Sequence, residues 1–319
     1  MVRAHFRQSL ISRAPIFLLL AVSIVTTSSG QTALDLTSRV RIDVVRVPLS
    51  VSVNDQSGRF VTNLSLANFA LYDSGQAQRI TNVDLETGLP LSIAFVIDDS
   101  GSMAGKKGLD VLIKDLAQRV ATPSDRLLLT TLVDSRVDLH LDFVGDVPSV
   151  MEKLNNLTRS GGTKLYDGIH SGIESWLKRE DDSKRRRVIL LVSDGHDSQS
   201  LLREADVIAT GTKYGIAIYA VSTNQISSTG KVTERNGDNL LTSLTNNTGG
   251  RAYFPREAKL SRDLLQMIDD ELRSRYLIYY EPASARAKPT HLEIRVPVDG
   301  PQYSTRIREL RFFNHGQEQ

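Results

Sequence analysis

Hydrophobic and polar positions divide the chain into three regimes. From Arg39 to about Asp84 apolar and polar residues alternate, and Val47, Leu49, Val51 and Val53 read as a half-buried strand. Asn54-Asp55-Gln56-Ser57-Gly58 reads as a turn, Arg59-Phe60-Val61 as extended chain, and Phe69 to Tyr72 as a short strand that Ile80 to Val83 pairs with after the turn at Asp73-Ser74-Gly75. Pro48 has no N–H for a ladder and predicts an edge strand or an irregularity. Gly88-Leu89-Pro90 then marks a boundary.

Beyond it strands and helices alternate. Leu91 to Ile97 is a continuous apolar run apart from Ser92, which suits a strand buried on both faces, as in a parallel sheet. Leu109, Leu112, Ile113, Leu116 and Val120 share one face of a helix. Arg126 to Val133 reads as a second buried strand. Val137, Leu139 and Leu141 form a third strand, antiparallel to it because only Asp134-Ser135-Arg136 connects them. Val147 to Leu157 predicts a short amphipathic helix, and Ile169, Ile173, Trp176 and Leu177 another, with Trp176 in the core. Lys184 to Arg187 reads as a solvated approach to the fourth strand, Val188 to Val192. A helix over Leu201 to Tyr214, a strand over Ile216 to Val221, a polar loop over Ser222 to Asp238 and a short helix around Leu240, Leu241 and Leu244 come next. Arg251 to Phe254 is a strand, and Leu264, Leu265, Ile268 and Leu272 mark the last helix. The pattern returns to β over Tyr276–Tyr280, Leu292–Val298 and Tyr303–Phe313, so the two β ends are expected to form one small module around the α/β part. The resulting division is 31–88 for the first β segment, 89–273 for the α/β domain and 274–319 for the second β segment.

Residues 1–30 differ from the rest. They hold Arg3, Arg7 and Arg13, no acid, then the apolar run Ala14 to Val25 and small residues up to Gly30, the layout of a secretory signal peptide cut near Gly30–Gln31. The run is shorter than the roughly 18 to 20 residues of a spanning helix, so a cleaved leader is favoured over an anchor. An exported, periplasmic or secreted protein follows, with no membrane span in the mature chain. Its loss of three arginines would take the formal charge from +2 to −1, which gives no reason to expect a nucleic-acid partner. There is no cysteine, hence no disulfide and no thiolate nucleophile.

The candidate chemistry lies at strand ends. Asp98, Ser100 and Ser102 follow the first buried strand, and Ser193-Asp194-Gly195 follows the fourth, while Ser160-Gly161-Gly162-Thr163 forms a loop between them. Carboxyl ends of strands are where open α/β sheets bind ligands, and oxygen donors suit magnesium, manganese or calcium.

Asp98-x-Ser100-x-Ser102-Met103, with Thr163 and Asp194 downstream, resembles the metal-ion-dependent adhesion site of von Willebrand factor A domains over about Leu89 to Arg273. The outer β segments are similar, more weakly, to those that flank this domain in exported bacterial proteins of the acidobacterial type. The resemblance implies an α/β fold: a doubly wound, mostly parallel six-stranded sheet with one antiparallel edge strand and helices on both faces. It places the site between the first and fourth strands. It implies a magnesium ion (or manganese or calcium) held directly by Ser100 and Ser102, by Thr163 directly or through water, and by Asp98 and Asp194 mostly through water. It also implies a partner protein presenting a carboxylate. Asp167 is read as a loop brace, and His196 as an exposed loop residue.

Enzyme readings fare poorly. Asp99-Ser100-Gly101-Ser102 matches the short string of aspartic proteases, but those enzymes pair two such loops in an all-β fold, and helices surround this one. A subtilisin-like reading lacks the His-Gly-Thr and Gly-Thr-Ser-Met strings, and a phosphatase reading wants an acid where Ser100 stands. The expectation is a non-enzymatic protein-binding module. Its rival is an envelope assembly component in which a metal only stabilises the loops.

Overall fold

A computed structural model describes residues 47–133, 136–144, 147–154, 157, 159–175, 177–179, 185–227, 232–282, 291–296 and 303–310. The leader over 1–30, Trp176 and Lys184 lie outside the described residues. In chain order the elements begin with strands β1 (Val47–Asn54), β2 (Ala70–Asp73) and β3 (Gln76–Glu86). Then come β4 (Leu91–Asp98), α1 (Leu109–Val120), β5 (Arg126–Val133), β6 (Arg136–Val144), α2 (Val147–Leu154), α3 (Leu165–Ser175), β7 (Arg186–Ser193), α4 (Glu204–Tyr214), β8 (Ala217–Ser222), α5 (Val232–Asn247), β9 (Ala252–Tyr253) and α6 (Arg262–Arg273). Strands β10 (Arg275–Glu281), β11 (Leu292–Arg295) and β12 (Ser304–Leu310) follow.

The strands form two six-stranded sheets. The inner one has the order β6-β5-β4-β7-β8-β9, parallel throughout except for the β5–β6 pair. All eight residues of β4 are buried, and they alternate between two cores. Ile93, Phe95 and Ile97 pack with Leu112, Ile113 and Leu116 of α1 and Ile268 and Leu272 of α6. Ala94 and Val96 pack with Ile169 and Ile173 of α3, Val207 of α4 and Leu241 and Leu244 of α5. A continuous apolar run therefore meets helices on each face, and each fully buried Leu, Ile or Phe adds about 1.5–3 kcal/mol. Strand order reverses between β4 and β7, which opens a crevice at their carboxyl ends.

The outer sheet, β11-β2-β3-β10-β1-β12, joins strands from both ends of the chain. Tyr276 anchors its core: the ring stacks on Phe60 (centroids 5.7 Å apart) and meets Phe69 at a tilt (5.1 Å), and its hydroxyl donates to Val61 O (2.9 Å). Strand β1 departs from its expected character in two respects. It lies inside the sheet, between β10 and β12, rather than at an edge, although the irregularity expected near Pro48 is present: the β12 ladder reaches only Leu49 and shifts register between Ser50 and Val51. It is also buried along its whole length rather than on one face. The polar side chains are covered by α6, where Glu271 accepts hydrogen bonds from Ser52 Oγ (3.0 Å) and Asn54 Nδ2 (2.6 Å).

The basic run before β7 is not simply solvated. Arg186 is buried, and its Nη1 donates to the carbonyls of Glu271 (3.2 Å) and Leu272 (2.6 Å), so a cation meets the negative end of α6. Its Nη2 donates to Tyr219 Oη (2.8 Å). A charge at a strand's first residue reads as surface, but here three acceptors await it. Polar residues 232–239 are helical rather than looped, for a reason that belongs to the crevice.

Arg273 closes the base of the inner sheet. It donates to Asp125 Oδ2 (2.6 Å) and Oδ1 (3.1 Å), to Leu89 O (3.0 Å) and to Val120 O. Burial pushes the Asp125 carboxyl up, but Arg273 and the N–H groups of Leu91 and Thr122 outweigh it, and the carboxyl stays below its usual range. A lowered carboxyl contributes stability that is present above its unfolded pKa and is lost as pH falls through its folded one. Arg273→Met is expected to cost about 3–5 kcal/mol at pH 7 in urea unfolding, with the difference shrinking in acid. An undiminished difference at low pH would show that packing, not charge, carries the effect.

Candidate metal centre

Strands β4 and β7 run parallel in register, with Ile97 opposite Val192, and so deliver Asp98 and Ser193 side by side. Ser193 Oγ donates to Asp98 Oδ2 (2.7 Å), and the Ser100 N–H donates to Asp98 Oδ1 (3.1 Å). Ser100 has extended backbone, and a single 3-10 turn over Gly101–Met103 follows it. That turn sets the hydroxyls of Ser100 and Ser102 3.0 Å apart, Ser100 buried and Ser102 exposed at the mouth. Thr163 Oγ1 approaches Asp98 Oδ1 at 3.5 Å. Four of the five residues singled out from the sequence thus form one hydrogen-bonded group. The fifth, Asp194, follows Ser193 and is coupled to Asp98 through charge.

Burial, and then the negative charge of Asp194, push the Asp98 carboxyl up to about 6, although hydrogen bonds from Ser100 and Ser193 oppose the shift. Three hydroxyls gather beside the Asp98 carboxylate, all hard oxygen donors, and Asp194 is near enough for its negative charge to disfavour ionised Asp98. A divalent cation relieves that repulsion, and the donor set fits magnesium, manganese or calcium. Among the described residues no three His, Cys, Asp or Glu side chains form a metal-holding group. A cation held here would take most of its protein ligands from hydroxyls.

The loops owe their shape to other acids. Asp99, read from the sequence only as part of a protease-like string, is buried. It accepts the Arg159 N–H (2.7 Å), while its carbonyl accepts the Ser160 N–H (3.0 Å) and Gly101 N–H donates to Gly161 O (2.9 Å). The Thr163 loop is tied to the β4 loop by these bonds. Asp167 braces rather than ligates, accepting the N–H groups of Leu201 (3.1 Å) and Leu202 (2.9 Å). This hold delays the start of α4 to Glu204. Asp197 caps α3 from a distant loop through the Leu165 N–H (2.8 Å), and Ser198 Oγ accepts the Thr163 N–H (3.1 Å). His196 is exposed. On the far side, Asn224 Nδ2 donates to Asp194 O (2.9 Å). Gly237 of α5 sits against the same carbonyl: a Cβ there would lie 2.0 Å from Asp194 O. Residues 232–239 are helical because they pack on the Asp194 loop, a tertiary cause that no local pattern shows.

The family model described as von Willebrand factor type A domain matches residues 93–196. The chain carries a von Willebrand factor type A domain. The matched segment runs from β4 to just past Asp194, so all five candidate ligands of the A domain lie within it. No curated protein matches the chain. Among solved structures, an aerotolerance-related membrane protein from Bacteroides fragilis is 14% identical with a TM-score of 0.43, over 57% of this chain and 98% of that one. BatB from Bacteroides thetaiotaomicron is 14% identical with a TM-score of 0.42, over 57% of this chain and 97% of that one. Proximal thread matrix protein 1 from the mussel byssus, in a form with a zinc-occupied MIDAS motif, is 15% identical with a TM-score of 0.47 over 61% of this chain. The chain spans about half the length of that mussel protein, 49%.

A carboxyl whose folded pKa is raised contributes stability that is whole below its unfolded value near 3.8 and lost as pH rises through about 6. In chelator the protein is therefore expected to lose stability from about pH 4 to about pH 6 and to level off above that. Asp98→Asn should abolish that slope and be more stable at pH 8 by about 1–3 kcal/mol. Parallel pH profiles for the two proteins would show that Asp98 is not the strained group.

Proposed function

We propose that this chain is an exported, non-enzymatic module that holds a divalent cation, magnesium first, at Asp98, Ser100, Ser102, Thr163 and Asp194. Through it the module captures an acidic group of a protein partner. The observation that carries the reading is the gathering of the Ser100, Ser102 and Thr163 hydroxyls beside the Asp98 carboxylate between β4 and β7, within reach of the Asp194 charge. Ser100, Ser102 and Thr163 would hold the ion through neutral hydroxyls. Asp98 and Asp194 would orient those hydroxyls and balance its charge. With so few anionic ligands the bound ion keeps an electrophilic position for a partner's carboxylate. Ser102, exposed at the mouth, marks the side from which a partner reaches it.

Two features favour binding over the rival readings. The site hydroxyls bond to one another and to carboxylates, not to an imidazole base that would make one a nucleophile. The loops are already held by protein groups, through Asp99, Asp167 and Asp197, so a cation is not needed to fasten them. Export is supported by the basic–apolar–small layout of residues 1–30. Among the described residues no helix is long and apolar enough to cross a membrane.

Calorimetric titration with Mg2+ and Mn2+ tests the site. One saturable ion is expected, with affinity reduced at least about tenfold in Thr163→Val and lost in Asp98→Ala while circular dichroism is unchanged. A short aspartate-containing peptide should then bind only the loaded protein, displacing water from Mn2+ as read by proton relaxation. Equal ion binding by the variants would overturn the site; peptide binding that survives chelation would overturn the capture.

A further inference from the structure

Lys106 has no part in the ligand set, yet it reaches the crevice. It lies in the link between the Gly101–Met103 turn and α1, where Gly105 (φ 79°) and Gly108 (φ 81°) adopt the left-handed backbone that lets four residues fold back on themselves. At Gly108 the fold leaves no room for a side chain, since a Cβ would lie 2.4 Å from Ala258 Cβ. The link therefore aims Lys106 inward. Its ammonium donates to Thr223 Oγ1 (2.9 Å) and lies 3.5 Å from Asp194 Oδ2. Both charged side chains are largely covered, at 12% and 8% exposure, so solvent screens their attraction little. Thr223 is itself fixed, its N–H on Ser193 O (3.1 Å) and its hydroxyl toward Met103 Sδ (3.4 Å). Three strand-end loops thus hold a cation against one of the two acids of the metal centre.

We propose that the Lys106 ammonium is a built-in competitor of the divalent cation: it neutralises Asp194 while the ion is absent and weakens ion binding when the ion arrives. The inference rests on the metal-centre reading above. It follows from charge. Asp98 and Asp194 together carry two negative charges at most, and one is already answered by a side chain that cannot diffuse away. An entering ion must displace the ammonium from Asp194 or tolerate it at close range, and both lower affinity.

The test is Mn2+ calorimetry on the full chain, joined to thermal unfolding in chelator and in saturating Mn2+. Lys106→Met should bind Mn2+ about tenfold more tightly than wild type. It should also unfold at lower temperature than wild type in chelator, because Asp194 loses its counter-charge, with the gap closing or reversing in Mn2+. Lys106→Arg, which keeps the charge, should stay within about threefold of wild type. Thr223→Val, which frees the ammonium from its second holder, should shift affinity in the same direction by less, and it serves if Lys106→Met fails to fold. Unchanged or weaker Mn2+ binding by Lys106→Met, with wild-type binding intact, overturns this inference alone. Absence of binding by wild type overturns the metal centre and the inference with it.

Discussion

Asp98 is a carboxylate carried to the end of a strand that has no exposed residue, and it faces a second carboxylate there. A charge in that position is costly unless groups around it are arranged to receive it. The Ser193 hydroxyl, the Ser100 N–H and the Thr163 hydroxyl all turn toward it. The crevice is shaped by that demand. Strand β7 must pair in register to supply Ser193, the β4 loop must turn back to supply Ser100, and the Thr163 loop must close over both. Even so, burial and Asp194 leave Asp98 raised to about 6, so its needs are only partly met by protein. The remainder is what a cation can supply.

Acids elsewhere in the crevice do different work. Asp99, Asp167 and Asp197 each accept backbone N–H groups of a neighbouring loop, and such charge-assisted bonds are about twice as strong as neutral ones. They order the loops without an ion. Asp98 and Asp194 instead accept backbone N–H groups of their own loops, from Ser100 (3.1 Å) and His196 (3.1 Å). Under the proposed function, this separation suits an exchangeable ion better than a metal staple.

The sequence showed some of this plainly and some not at all. Leu91–Ile97 was legible as doubly buried because its apolar run lacks alternation, and the helices on each side carry a 3.6-residue period. The convergence of Thr163 and Asp194 on Asp98 was legible only through resemblance, since spacing along the chain does not say which loops meet. The braces were hidden: the partners of Asp99 and Asp197 are backbone amides 60 and 32 residues away, which have no sequence signature. Arg186 was misread because a basic run is usually solvated, and its acceptors lie 85 and 86 residues further on. Residues 232–239 were misread because a helix that packs through one glycine, Gly237, against a carbonyl has no apolar stripe there to announce it.

Strand β7 also explains how the outer sheet coexists with an open crevice. Arg186 begins the strand and Ser193 ends it, about 23 Å apart at the usual rise of an extended chain. Buried ties between the outer sheet and the A domain lie at the first end. Ser52 and Asn54 bond Glu271, whose carbonyl also receives Arg186, and Arg251, just before β9, donates to Gly58 O (2.7 Å). Helix α6 runs directly into β10 there, through Ser274. Arg59 adds an exposed ion pair to Asp263 in the first turn of α6 (3.8 Å). The chain thus joins an antiparallel sheet built from both its ends to the A domain while Ser102, at the mouth of the crevice, stays exposed.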